Sequence, residues 1–165
     1  MTASTKTNAA RRLDALGILY ELRSFEVADE HLPAGEYARR LGIPESQVYK
    51  TLLVAGDRTG PCFAVVGADA ELDFKALARV SGNRSVEMVP LAKLTAITGY
   101  IRGGTTALAA KKDLPVFLDE AALIEARISV SAGVRGMQLV LAPSDYVRAT
   151  RATTGSFARP PVQSR

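Results

Sequence analysis

Two strongly apolar runs, residues 51–55 and 62–66, are separated by a segment of turn-forming residues that reads GDRTGP. Short apolar runs bounded by glycine, proline and aspartate are typical of buried strands that a turn connects. The pattern therefore predicts a β-hairpin that is buried on both faces. We expect this hairpin to form the centre of a sheet, around which the other elements of the chain are arranged.

Helices and strands are predicted on both sides of the hairpin. Glycines at 17, 42 and 82 predict where three helices end, and Asp73 is a predicted N-cap. We expect helices at 8–16, 35–41, 74–80, 90–98 and 144–150, a short helix at 120–125, and strands at 19–25, 85–88, 116–118, 127–130 and 137–141. A chain of 165 residues has room for one domain, which we place at 1–150. Residues 151–165 lack an apolar periodicity and predict a disordered tail.

The formal net charge of +4 comes from the two ends of the chain. Six of the 21 basic residues lie in residues 1–12 and 151–165, which hold no acid, so residues 13–150 carry 15 basic against 17 acidic residues. Any nucleic-acid contact of the folded body must therefore be a local patch. Lys111 and Lys112 belong either to a solvated turn or to a contact with a phosphate backbone.

Several common catalytic sites have no sequence signal. His31 is the single histidine, which excludes a two-histidine metal site, and Cys62 lies in an apolar strand without a neighbouring base. The chain has no glycine-lysine phosphate loop, dinucleotide fingerprint or serine elbow. We expect no metal and no cofactor. One cysteine and no long apolar segment predict a cytoplasmic protein that is not bound to a membrane.

The remaining candidates for catalytic or ligand-binding residues are polar and small residues at the ends of buried elements. Lys50 directly precedes the apolar strand, where a lysine either borders a pocket with a lowered pKa or stands in water. Gly99, Gly103 and Gly104 either bring backbone N–H groups close to a ligand oxygen or form a tight surface turn. The same two interpretations apply to the small-residue loop at 131–136. The residues alone leave these alternatives open.

Five segments, taken in order and spacing, resemble the YbaK/EbsC family of aminoacyl-tRNA deacylases. They are QVYKTLLV at 47–54, LDFKALA at 72–78, VEM at 86–88, TGYIRGG at 98–104 and VSAGVRG at 130–136. The resemblance covers residues 7–150. It implies the fold of the editing domain of bacterial prolyl-tRNA synthetases, a mixed α/β domain with a barrel-like central sheet surrounded by helices. The elements predicted above are compatible with that fold.

The resemblance also implies an activity and a site. The activity is trans-editing, in which mischarged tRNA(Pro), chiefly Cys-tRNA(Pro), loses its amino acid, with prolyl-tRNA synthetase as a partner. Lys50 and Gly103 are the implied catalytic residues. The implied substrate-binding residues are Phe25, Thr51, Tyr100, Gly104, Ser131 and Gly133. The thiol of a bound cysteine can attack its own ester, so the protein needs only to position the substrate and stabilise the developing charge.

Two departures from the family pattern leave the substrate open. Ala107 stands where a proline is common in the loop after Gly103, and Phe25 stands where a tyrosine is frequent. An enzyme that clears Ala-tRNA(Pro) or another mischarged tRNA is therefore an alternative. A second alternative is a non-catalytic module that binds tRNA or a synthetase. A third is an enzyme that acts on an unrelated small molecule.

Overall fold

The computed structural model describes residues 6–26 and 32–160, which form helices and strands in alternation. In chain order the elements are α1 (Asn8–Ala15), β1 (Glu21–Ser24), α2 (Ala34–Leu41), a 3₁₀ turn (Glu45–Gln47), β2 (Tyr49–Gly56), β3 (Gly60–Gly67), β4 (Glu71–Leu72), α3 (Phe74–Ser81), β5 (Val86–Met88), α4 (Leu91–Thr98), β6 (Val116–Asp119), a second 3₁₀ turn (Glu120–Ile124), β7 (Ile128–Ser131), β8 (Met137–Leu141), α5 (Pro143–Thr150), β9 (Thr153–Gly155) and β10 (Ala158–Arg159). The predicted mixed α/β fold is confirmed. None of the helices in these ranges is long and apolar enough to cross a membrane.

The predicted hairpin is confirmed and lies within the largest described sheet. β2 and β3 pair antiparallel, with Lys50 opposite Val66 and Leu53 opposite Phe63. The strand order is β5-β2-β3-β6-β9, in which β5, β2 and β3 are antiparallel and β6 and β9 are parallel to β3. β3 is thus the middle strand of those described, and most of its side chains are buried on both faces of the sheet.

A second described sheet has the order β1-β8-β7 and is antiparallel throughout. A single parallel bridge between Val48 and Ser129 connects it to the start of β2. The main hydrophobic core includes side chains of both sheets, among them Phe63 and Leu139, together with Leu13 of α1 and Tyr146 of α5. The bridge brings the start of β2 next to β7, which matters for the site described below.

Local sequence determines where the helices begin and end. Asp73 accepts a hydrogen bond from the Ala76 N–H and caps α3, as predicted. Gly42, Gly82 and Gly99 follow α2, α3 and α4 in the left-handed conformation, which glycine adopts without steric cost. These stops agree with the predicted helix ends at Gly42 and Gly82. Each of these helix ends depends on a single glycine, so it can be predicted from the sequence.

The predicted disordered tail is wrong for residues 152–160. β9 pairs with β6, and β10 pairs with the short strand β4, which was not predicted. Between them Phe157 is 1% exposed and belongs to a second core that covers the other face of the hairpin, together with α3. This segment is ordered by distant partners rather than by its own pattern, so no periodicity reveals it. Residues 161–165 lie outside the described part of the chain.

Candidate functional site

A cavity of about 500 Å³ opens beside the start of β2. The residues around it come from β2, from the segment just before α2, from α2 and α4, from the loop after α4, and from β7 and β8. They are Leu32, Ala34, Tyr37, Val48, Tyr49, Lys50, Thr51, Leu52, Leu53, Ala68, Met88, Val89, Leu91, Leu94, Arg102, Gly103, Thr105, Ser131 and Gln138. Most of these side chains are apolar. The few polar groups are therefore the ones that can orient a ligand.

Lys50 is the one lysine among the residues that line this cavity. Its side chain is half-buried, and Nζ donates a hydrogen bond to the Ala70 carbonyl at 2.8 Å. Burial lowers the pKa of Lys50 below its usual value, while the charges of Asp69 and Glu71 act in the opposite direction. Of the two interpretations left open by the sequence, the structure agrees with a lysine that borders a pocket and has a lowered pKa.

The loop after α4 brings backbone to the cavity. Gly103 lines the cavity with φ +86°, a conformation that favours glycine. The neighbouring Gly104 is buried, and its N–H donates to the Ile101 carbonyl at 2.9 Å. A Cβ on Gly104 would lie 3.2 Å from the Val134 backbone. Gly104 therefore closes a turn and permits a close backbone contact, which leaves Gly103 as the glycine at the cavity surface.

Tyr100 and Gly133 fix the same loop from outside the cavity. The Tyr100 hydroxyl donates to the Leu108 carbonyl at 2.6 Å, which joins the two ends of the loop. Gly133 has φ +104°, and a Cβ there would lie 3.0 Å from the Tyr100 ring. The Gly133 N–H donates to the Ser131 hydroxyl oxygen at 3.1 Å. Ser131 is a cavity residue, so these contacts connect the loop to the cavity surface.

The structure therefore divides the predicted site residues into two groups. Lys50, Thr51, Gly103 and Ser131 line the cavity, whereas Phe25, Tyr100, Gly104 and Gly133 do not. Phe25 packs edge-to-face against Tyr37 with 5.2 Å between ring centroids, and Tyr37 lines the cavity. Ala107, where the family pattern has proline, packs against the main core and also lies outside the lining.

Five polar cavity residues were not predicted as site residues: Tyr37, Tyr49, Arg102, Thr105 and Gln138. Burial raises the pKa of Tyr49 to about 12, and the charges of Asp119, Glu125 and Asp69 add to this effect. Its hydroxyl is therefore neutral at pH 7. Gln138 is 5% exposed and accepts a hydrogen bond from Ser129 at 2.9 Å. Gln138 could have been found from the sequence, because it is a polar residue within the apolar strand MQLVL. A buried polar side chain needs a hydrogen-bond partner, so such a residue is a candidate for a binding site.

The single cysteine and the single histidine were not predicted as site residues. Cys62 is fully buried in the hairpin, and burial raises its pKa to about 11. His31 lies outside the described residues. Within residues 6–26 and 32–160, no group of three histidine, cysteine, aspartate or glutamate side chains is placed to hold a metal ion.

Comparison with known proteins gives the family. The family model described as "Aminoacyl-tRNA editing domain" matches residues 32–149, which include all of the cavity-lining residues. The chain is also 44% identical over 153 residues to a protein of Enterococcus faecalis, and the match covers 93% of this chain and 92% of that protein. That relative is named "Putative Cys-tRNA(Pro)/Cys-tRNA(Cys) deacylase EbsC". The chain belongs to the aminoacyl-tRNA editing domain family.

Solved structures show the same fold for this editing domain. One is described as "a putative trans-editing enzyme for prolyl tRNA synthetase"; it has a TM-score of 0.82 and 21% identity, with 94% of this chain and 99% of that chain covered. Another, a hypothetical protein, has a TM-score of 0.82 and 22% identity, with 92% and 99% covered. The resemblance to the YbaK/EbsC family is confirmed, and so is the prediction of an aminoacyl-tRNA deacylase at the level of the family.

Proposed function

We propose that this editing domain hydrolyses Cys-tRNA(Pro) in trans, using the cavity beside β2 to hold the aminoacyl ester. The observation that carries the proposal is the position of Lys50, a half-buried cation in a cavity with mainly apolar lining. A cation in such a place interacts strongly with negative charge, because little water is present to screen it. The name of the 44% identical relative supports the choice of cysteine and of tRNA(Pro).

The proposed reaction uses the nucleophile of the substrate. The cysteine sulfur attacks the carbonyl carbon of its own ester, so that a C–S bond forms as the ester C–O bond breaks. The thiol proton ends on the ribose oxygen that leaves, and water then opens the cyclic thioester to free cysteine. The chain contributes the geometry of attack and the stabilisation of the carbonyl oxygen as it becomes negative.

Lys50 and Gly103 have distinct roles in this proposal. Lys50 is the cationic group that stabilises the developing oxyanion or fixes the adjacent ribose or phosphate. Gly103 allows the backbone to approach the ester, since a side chain at φ +86° would be strained and its Cβ would lie 3.2 Å from the Arg135 Nε. Removal of one preorganised group of this type typically lowers kcat by about 100-fold to 1,000-fold.

The test compares three substrates that differ only in the amino acid. Cys-tRNA(Pro), Ser-tRNA(Pro) and Ala-tRNA(Pro) are incubated with wild type, Lys50→Ala and the control Lys75→Ala, an exposed lysine of α3. We expect rapid loss of cysteine only, because serine has nearly the same shape but lacks the thiol. Lys50→Ala should be at least about 100-fold slower, and Lys75→Ala should match wild type.

Other outcomes would reject parts of the proposal or favour one of the alternative functions. Faster loss of alanine than of cysteine would reject the thiol mechanism and favour an Ala-tRNA(Pro) deacylase. Full activity of Lys50→Ala would reject the role of Lys50. No deacylation of any substrate by a protein that still binds tRNA would favour a binding module without turnover.

We also propose prolyl-tRNA synthetase as a partner that supplies tRNA selectivity. The near-neutral charge of residues 13–150 supports weak intrinsic affinity for tRNA. Addition of the synthetase should therefore lower the KM for Cys-tRNA(Pro) relative to the same misacylated amino acid on another tRNA. Selective nanomolar binding of tRNA(Pro) by the isolated chain would contradict this proposal.

A further inference from the structure

One side of the cavity is formed by a segment that carries positive charge only. Residues 88–112 contain four basic side chains and no aspartate or glutamate. We call these four residues the cationic strip: Lys93, Arg102, Lys111 and Lys112. All four are exposed, and the rest of the described chain carries 16 basic against 15 acidic side chains, so the strip holds most of the excess positive charge. The strip is therefore a local patch of the kind that a polyanion can recognise.

The fold holds the strip against the opening of the cavity. Arg102 itself lines the cavity, and Lys93 lies on α4 between two lining residues, Leu91 and Leu94. At the other end of α4 the Lys111 N–H donates to the Thr98 carbonyl at 2.9 Å. With a rise of 1.5 Å per residue, Lys93 and the Thr98 carbonyl that holds Lys111 are about 7.5 Å apart along the axis of α4.

A second loop supports the strip. The Arg135 guanidinium, from the turn between β7 and β8, donates through Nε to the Arg102 carbonyl at 2.9 Å. This bond fixes the backbone that carries Arg102. No acidic residue lies between Glu125 and Asp145, so this turn does not neutralise the strip.

The acidic residues that flank the strip in the sequence, Glu87 and Asp113, do not cancel its positive charge. Glu87 precedes the segment on β5, next to Met88, which lines the cavity. Glu87 is itself exposed and does not line the cavity. Asp113 follows Lys112 in the exposed turn and offsets one charge. The strip keeps an excess of positive charge.

The opposite side of the cavity has a different charge. Asp69 and Glu71 are close enough to Lys50 for their charges to offset part of the pKa lowering that burial causes. On α2, Glu36 binds both Arg39 and Arg40, so those two cations are already paired. The cavity thus lies between a positive side and a side whose charges largely cancel, and an incoming polyanion meets an oriented field.

We propose that the sugar-phosphate backbone of the tRNA acceptor stem lies along the cationic strip. The stem then runs over α4 and residues 99–112, and its 3′ end passes Arg102 into the cavity. This inference rests on the proposed function, because it takes the substrate to be an aminoacyl-tRNA. It adds the direction from which the RNA approaches and the side chains that hold the phosphates, which do not touch the ester.

The expected binding is weak and depends on salt. Each phosphate contact changes the slope of log K against log salt concentration by about 0.7 to 0.9. Four contacts therefore give a slope of about −3. Such a small number of contacts agrees with an enzyme that must release its tRNA after each reaction, and base-specific contacts are not required.

The test uses two triple variants with the same change in charge. The strip variant replaces Lys93, Lys111 and Lys112 with glutamine. The control variant replaces three exposed cations far from the cavity with glutamine: Arg58, Lys75 and Arg79. Binding of uncharged tRNA(Pro) is measured by fluorescence anisotropy from about 50 to about 200 mM KCl. Hydroxyl-radical footprinting of the same complexes reports which phosphates are covered.

We expect the salt slope of the strip variant to be shallower by about 2 units, with loss of protection along the acceptor stem. The control variant should keep the wild-type slope and footprint. An unchanged slope in the strip variant, or an equal loss in the control, would overturn the proposal. Protection of another part of the tRNA by the wild type would also overturn it.

A separate assay distinguishes failure of the strip from failure of the proposed function. Cysteinyl-adenosine carries the ester but no phosphate, so its hydrolysis by the wild type tests the chemistry alone. The tRNA-binding result stands whether or not this ester is hydrolysed. Hydrolysis of cysteinyl-adenosine without strip-dependent tRNA binding would reject only the docking proposal.

Discussion

The C-terminal segment 152–160 provides a direct test of what orders this chain. Phe157 fills the second core, and its backbone N–H and that of Ala158 both donate to Asp119 Oδ1 at 3.0 Å. The Phe157 carbonyl in turn accepts the Asp73 N–H at 2.8 Å. We expect Phe157→Ala and Asp119→Ala to detach the same segment by two different routes.

The expected losses follow from burial and hydrogen bonding. Phe157 is 1% exposed, and replacement of a buried phenylalanine by alanine costs about 3–5 kcal/mol. Asp119→Ala removes the acceptor of two backbone N–H groups, one of them buried, at a cost of about 2–4 kcal/mol. Once either substitution has detached the segment, the packing of Phe157 and the hydrogen bonds to Asp119 are both already lost, so the second substitution costs little more. The double variant should therefore lose less than the sum of the single losses, by about 1–3 kcal/mol.

Urea unfolding of the three variants and the wild type measures these free energies, and limited proteolysis locates the detached segment. Leu19→Ala, at an 88% exposed position, is the control and should change stability by less than about 0.5 kcal/mol. A cost below about 1 kcal/mol for Phe157→Ala would mean that the segment does not stabilise the fold. Strict additivity in the double variant would show that the two residues act independently.

Three further predictions concern single side chains. Because burial lowers the pKa of Lys50 below 10.5, the unfolded chain binds more protons between the two pKa values, so stability should rise with pH through that window. Lys50→Met should lack this rise when urea midpoints are compared from neutral pH to pH 10.5. Tyr146→Phe should change stability by less than about 1 kcal/mol in thermal unfolding, since among the described residues Thr51 is the one polar side chain that interacts with the buried hydroxyl and the two groups make no well-formed hydrogen bond. Cys62 should resist a thiol reagent at pH 8 in the folded state and react after denaturation, because its pKa is about 11; rapid labelling of the native protein would contradict its burial.

Much of the local structure could be predicted because single residues or short periods encode it. The hairpin follows from two apolar runs and a turn, and the ends of α2 and α3 follow from glycines that adopt positive φ. The predicted strands at 19–25 and 85–88 are confirmed in shorter form, as Glu21–Ser24 and Val86–Met88. Ends of strands depend on the partner strand, so the sequence places them less closely.

Only some of the predicted site residues lie at the cavity, for a related reason. Family motifs located Lys50, Thr51, Gly103 and Ser131, which all line the cavity. Arg102 and Thr105 join them from the loop after α4. Gln138 joins them from β8, which pairs with β7, and the bridge between Val48 and Ser129 holds β7 beside the start of β2. A motif marks the residues within it, but it does not show which other elements face the same cavity.

The sequence by itself determined the mixed α/β fold, the central hairpin, the helix stops and the editing-domain family. These features depend on local backbone preferences, hydrophobic period and ordered motifs, which are properties of neighbouring residues. Only the tertiary structure decided that residues 152–160 form strands, that Lys50 has a lowered pKa and that the cationic strip borders the cavity. Those features depend on burial and charge supplied by residues far away in the chain, and these effects exist only once the elements have packed.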